Sequence, residues 1–141
     1  MHHFRSTRRQ FLVGSAFAAV AAIVPRPLAA LAARRAPGPH PSPRPGVNAS
    51  KVLTAAQLAD DPDAIPAFDA VRSIPSIADG IRCHCGCAER EGFYSLLSCY
   101  EGEGMARMCL VCQGEGRMAE RMHREGRSLD EIRAAIDARY G

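Results

Sequence analysis

Apolar and polar residues follow three different spacings along the 141-residue chain. Phe11 to Val24 is a 14-residue apolar run, broken by Gly14 and ended by Pro25-Arg26. From Arg34 to Ser50, Pro37, Pro39, Pro41, Pro43 and Pro45 alternate with other residues. That alternation forbids a helix and favours extended polyproline II. From Lys51 onward, short stretches of helical spacing are punctuated by capping and breaking residues.

Thr54 and Gln57 have the spacing of a capping box, which predicts a short helix over Ala55 to Ala59, stopped by Asp60-Asp61-Pro62-Asp63. Pro66 suits a first helical position, and Phe68, Val71 and Ile74 then share one face before Pro75. Ser76 to Asp79 reads as one further turn, closed by Gly80. Met105 to Gly126 reads as a longer helix in which Gly114 and Gly116 mark a break. Met118 and Met122, with Val111, form a stripe that reads as core packing. Gly126 ends this helix, and Ser128 with Glu131 makes a second capping box. Leu129, Ile132, Ile136 and Tyr140 follow at helical spacing. The pattern predicts a mainly α domain of three to five short helices, ending in a helix–turn–helix hairpin.

Charge is divided unevenly. Residues 1–50 hold seven arginines and no acid, whereas residues 51–141 hold eleven basic and all fifteen acidic side chains. The basic balance therefore belongs to the N-terminal part. A mildly acidic domain without Trp lacks the electrostatic footprint of a nucleic-acid binder, so that class is set aside. Thr7-Arg8-Arg9-Gln10-Phe11-Leu12 resembles the twin-arginine export consensus. The apolar run behind it is short of the roughly 20 residues of a membrane span. Ala30-Leu31-Ala32 offers a cleavage site. The expected organisation is a twin-arginine signal peptide over 1–33, a Pro-rich linker over 34–50 and a cysteine-rich helical domain over 51–141. The mature product is expected to be periplasmic or extracellular, with no stable membrane span after cleavage. His40 reads as a solvated linker residue.

All six cysteines fall between positions 83 and 112: Cys83, Cys85 and Cys87, then Cys99, then Cys109 and Cys112. On an extended backbone the first three point to one side, and Gly86 lets the chain curl so that their sulfurs converge. Adjacent members of such a triplet make strained disulfide partners. Several thiolates about 2.3 Å from one ion is ordinary zinc geometry, and soft Cu(I) suits the same set. Cys109 and Cys112, three apart near a helix start, lie on nearly one face, where the dipole favours the thiolate. His84 alternates away from its neighbouring cysteines and is left out of the ligand set, with an outer or second-site role as the minor alternative. His123 is about 21 Å along a continuous helix from Cys109, too far to share an ion with it.

Cys83-His84-Cys85-Gly86-Cys87, Cys99-Tyr100, Cys109-Leu110-Val111-Cys112 and Gly126 to Ile132 together resemble the exported bacterial proteins named for a Pro-Cys-Tyr-Cys-Gly-Cys (PCYCGC) motif. Arg82 and His84 stand where that family has Pro and Tyr. The resemblance implies a small, exported, thiol-rich domain. Cys109 to Gly114, with Ser128 to Ile132 and Ala138 to Gly141, is similar to the thiol-reductase subunit of cytochrome c maturation, which implies disulfide exchange. Three readings compete. The first, and the favoured one, is a six-cysteine site for copper or zinc. The second is thiol–disulfide exchange through Cys109 and Cys112, the enzymatic alternative. The third is a disulfide-stapled domain without metal. Twin-arginine signals imply export after folding, and the reducing cytoplasm favours metal–thiolate bonds over disulfides as the staple. No phosphate loop or His-x-x-x-His ligand pair is present, so a binding protein is expected rather than an enzyme. The expected partner is the metal ion; the sequence points to no particular protein partner.

Overall fold

The computed structural model describes residues 38–141. The export signal expected over 1–33 lies outside them. Among the described residues there are five α-helices: α1 (Ile65–Ser73), α2 (Pro75–Asp79), α3 (Cys87–Glu91), α4 (Leu110–Arg124) and α5 (Leu129–Tyr140). Four 3-10 turns join them, at Ala55–Leu58, Pro62–Ala64, Leu97–Tyr100 and Met105–Arg107. An isolated antiparallel bridge between Val52 and Glu101 is the sole β pairing among the described residues. The fold is therefore mainly α, as the apolar spacing predicts.

Both expected capping boxes form. Thr54 Oγ1 accepts from the Gln57 backbone N–H at the first turn, while Gln57 Oε1 accepts from the Thr54 backbone N–H at 2.9 Å. At α5, Ser128 Oγ accepts from the Glu131 backbone N–H, and Glu131 Oε2 accepts from the Ser128 backbone N–H at 2.8 Å. Each box satisfies helix-start N–H groups that have no partner inside the helix. Gly126, at φ +80°, turns the chain between α4 and α5.

The core is built where α1 meets α4 and α4 meets α5. Phe68 and Val71 of α1, Tyr100, Leu96 and Leu97, and Ile132 and Ile136 of α5 are fully buried. Tyr100 stands edge-on to Phe68, with ring centroids 4.7 Å apart. Its hydroxyl donates to the Cys112 carbonyl at 2.6 Å, so the buried phenol is satisfied. Met118 and Met122 pack against this core, as their stripe suggests.

Helix α4 runs through Gly114 and Gly116 without the break expected there. These glycines serve close approach instead. A Cβ at Gly116 would meet the Tyr100 hydroxyl and Val71 Cγ2, and one at Gly114 would meet the Tyr140 hydroxyl. The helix also starts later than expected. Met105–Arg107 is a separate 3-10 turn, and Cys109 is the N-cap of α4. Buried Gln113 holds this turn by donating through Nε2 to the carbonyls of Ala106 (2.9 Å) and Arg107 (3.1 Å).

Residues 38–50, read from sequence as part of a spacer, carry contacts with the helices. Arg44 pairs with Asp79 of α2 at 2.7 Å and donates its backbone N–H to the same carboxylate at 2.8 Å. Ser95 Oγ donates to Asp79 at 2.8 Å. Burial alone would push the Asp79 carboxyl up, but the Arg44 and Ser95 hydrogen bonds outweigh it and hold it below the usual range. Arg133 donates to the Pro41 carbonyl at 2.8 Å and Tyr94 to the Ser42 carbonyl at 2.6 Å. The alternating prolines explain this mode of attachment. An extended chain without internal hydrogen bonds leaves its carbonyls free to accept from side chains elsewhere.

Candidate metal centre

Three chain segments meet at the cysteines. Residues 82–84 belong to no helix, and Gly86 at φ +70° turns the chain into α3. Cys99 sits in the 3-10 turn Leu97–Tyr100, and Cys112 lies in the first turn of α4. The Sγ atoms of Cys83, Cys85, Cys99 and Cys112 all lie within 4.8 Å of one another. The Cys83–Cys112 pair is 3.4 Å apart. Four sulfurs each about 2.3 Å from a tetrahedral centre are separated by about 3.8 Å, so this spacing fits one shared ion. A disulfide instead draws two sulfurs to about 2 Å. None of the five cysteines whose side chains are described is in a disulfide. Cys83, Cys99 and Cys112 are buried and Cys85 is half-buried.

The expected six-sulfur site is thus a group of four among the described side chains. Cys109 is not in it. As the N-cap residue it has extended backbone angles, φ −99° and ψ 104°, so the face shared by helical i and i+3 positions does not extend to it. It is half-buried between Met108 and Leu110, both strongly exposed. The side chain of Cys87 lies outside those described. Cys99, which the sequence offered as a lone cysteine between two clusters, is a full member of the group. His123 is exposed, as expected.

The thiols share charge unequally. Hydrogen bonds from Cys112 and Cys99 hold Cys83 far below the ordinary thiol range. Cys112 is pushed up by the same hydrogen bonds with Cys83 and Cys99 and by burial. For Cys99 the bond with Cys112 pulls down, but the bond with Cys83, burial and the charges of Cys83 and Cys85 prevail and raise it. Cys83 is thus the thiol most easily ionised, while Cys99 and Cys112 resist ionisation. A cation supplies the missing compensation for the remaining thiolates.

Beside the sulfurs runs a line of polar groups that the sequence reading did not assemble. Glu115, fully buried in α4, accepts through Oε1 from the His84 backbone N–H at 3.0 Å and lies 2.7 Å from His84 Nδ1. His84 Nε2 faces Asp137 Oδ1 of α5 at 2.9 Å. The same oxygen is 3.1 Å from His40 Nε2, and His40 Nδ1 accepts from the Arg82 backbone N–H at 3.0 Å. That last bond fixes the proton of a neutral His40 on Nε2, from which it donates to Asp137. His84 has a carboxylate oxygen against each ring nitrogen, which suits an imidazolium. Its pKa is raised chiefly by the Glu115 hydrogen bond, against burial, with the charges of Glu115 and Asp137 adding. Burial pushes Glu115 up to about 7, opposed by its bonds from His84 and reinforced by the Cys83 charge.

His84 therefore pairs with carboxylates and has both ring nitrogens engaged, rather than serving as an outer ligand. One signal for Glu115 was present in the sequence: it lies three residues after Cys112, on the same face of the helix. Nothing marked His40 or Asp137, because each meets His84 only through the tertiary fold. Comparison with protein-family models, curated proteins and solved structures finds no match to this chain. Among the described residues, no helix is long and apolar enough to cross a membrane.

Proposed function

We propose that this is an exported protein whose domain holds one soft metal ion through the thiolates of Cys83, Cys85, Cys99 and Cys112. The observation that carries the proposal is the mutual approach of four sulfurs to within 4.8 Å, three of them buried. Four thiolates around one centre suit Zn²⁺ best in geometry, and Cu(I) by softness. A site with four protein ligands leaves no open position for water or substrate, so the ion is held and the protein acts as a binder rather than an enzyme. The twin-arginine-like leader and the resemblance to PCYCGC-motif proteins support export. Thiol exchange through Cys109 and Cys112 is less well supported: Cys112 is fully buried within the cluster, and exchange needs an accessible thiolate.

The test is elemental analysis with thiol titration of protein loaded with zinc or copper under reducing conditions. One ion per chain is expected, with four thiols that become reactive when a chelator removes it. Cys99→Ser or Cys112→Ser is expected to weaken retention sharply, while Cys109→Ser retains full stoichiometry. A Cys109→Ser protein that loses the ion as readily as Cys99→Ser overturns the four-sulfur assignment. Protein isolated from the export compartment without reductant that carries no metal and no titratable thiols points instead to a disulfide framework.

A further inference from the structure

Two of the four sulfurs, those of Cys83 and Cys85, project from a segment outside any helix. Its hold on the rest of the domain runs through the residues beside them. The backbone N–H of Arg82 is bound by His40, and the backbone N–H and ring of His84 are bound by Glu115. Asp137 joins the two imidazoles through a single oxygen. The side chain of Glu115 is fully buried and that of His84 is 5 % exposed. Such groups are costly to bury unless they pair, so their pairing selects one geometry for the segment that carries them.

We propose that Glu115, His84, Asp137 and His40 are positioning residues for the metal site, a carboxylate–imidazole relay that fixes Cys83 and Cys85 opposite Cys99 and Cys112. This rests on the four-thiolate reading and deepens it. The relay acts through the backbone on either side of Cys83. It also makes residues around His40 part of the metal site, although they lie more than forty positions from the nearest sulfur in sequence. Preorganised ligands need less ordering when the ion binds, and loss of a supporting partner typically costs 10–100-fold in affinity.

The experiment measures zinc affinity by competition with a chromophoric chelator on the full chain and on Glu115→Ala, Glu115→Gln and His40→Ala. Cobalt(II) spectra of the same proteins report the thiolate ligand field. Glu115→Ala is expected to weaken zinc about 10–100-fold and to alter the cobalt spectrum. Glu115→Gln keeps an acceptor for the His84 N–H and is expected to recover part of the loss. His40→Ala is expected to show a smaller loss. Ile132→Val, a core change remote in chemistry from the relay, serves as the control and leaves affinity and spectrum unchanged. If Glu115→Ala does not fold, Glu115→Gln and His40→Ala decide the matter. Wild-type affinity and an unaltered spectrum in the variants that fold overturn the relay while leaving the four-thiolate reading standing. A wild-type chain that takes up neither zinc, cobalt nor Cu(I) overturns both.

Discussion

A methyl group at Gly116 and one at Gly114 meet different neighbours, although both residues belong to α4. At Gly116 the obstacles are the hydroxyl of fully buried Tyr100 and a methyl of Val71. Neither has room to retreat, and the Tyr100 hydroxyl is committed to the Cys112 carbonyl. Alanine gains about 1 kcal/mol of helix propensity but overpacks the core by about 1–3 kcal/mol. Gly116→Ala is therefore expected to destabilise, by about 1 kcal/mol, in urea unfolding. At Gly114 the obstacle is the far end of the side chain of half-buried Tyr140, which can swing aside. Gly114→Ala is expected to be neutral or stabilising by the same measurement. The sequence showed two glycines inside a helical pattern but not what lies opposite them, which is why a break was expected. Arg44 and Asp79 carry a pH-dependent prediction. Asp79 is held down in the folded state, so its contribution is present above the unfolded carboxylate pKa of about 3.9 and lost as pH falls through the lower folded value. Arg44→Ala removes the main favourable partner of a buried carboxylate and raises its folded pKa. The variant is expected to lose stability at pH 7 and to unfold in acid at a higher pH than wild type, followed by circular dichroism.

The α4–α5 hairpin was legible because its signals are local. Gly126, Ser128 and Glu131 fix the turn and the start of α5 within six residues, and the stripe through Ile132 and Ile136 supplies the buried face. Ser128→Ala is expected to cost about 1 kcal/mol, the usual price of a lost cap, with fraying of the first turn of α5 visible as faster amide exchange at Asp130 to Ile132. The start of α4 was not legible in the same way. Met105 to Leu110 holds no Gly or Pro that would forecast a gap there. The interruption at Met108 and Cys109 coincides with the reach of Gln113 back to two carbonyls of the preceding turn. That small shift has a large consequence for the site. It leaves Cys112 inside the helix and in the cluster, and puts Cys109 on extended backbone outside it. The cysteines were recognisable by composition, while which four converge depended on helix register.

At the scale of the molecule, the core is modest for a chain of this size and the parts around the cluster lie far apart in sequence. His40, Cys83, Cys99, Cys112 and Asp137 come from five separate stretches, joined only once the fold is complete. Proline alternation predicts an extended spacer, but not that residues 38–50 lie against the helices. Their attachment depends on Asp79, Tyr94, Arg133 and Asp137, none of which signals a distant partner in sequence. A chain beginning at Lys51 tests how far the domain depends on them. It leaves Asp79 without Arg44, the Arg82 N–H without His40, and one carboxylate–imidazole contact of Asp137 unmade. Exposed ion pairs contribute little, but the Asp79 carboxylate is fully buried, and stripping its strongest partner is the costly kind of loss. The chain from Lys51 is therefore expected to melt at a lower temperature than one beginning at residue 38, with and without zinc. If the segment also supports the ligand loop, the gap between the two melting temperatures widens when zinc is added, because stabilisation by a bound ion grows with its affinity for the folded state. Equal shifts on zinc addition would mean that the segment braces the helices alone and that the thiolates assemble without it.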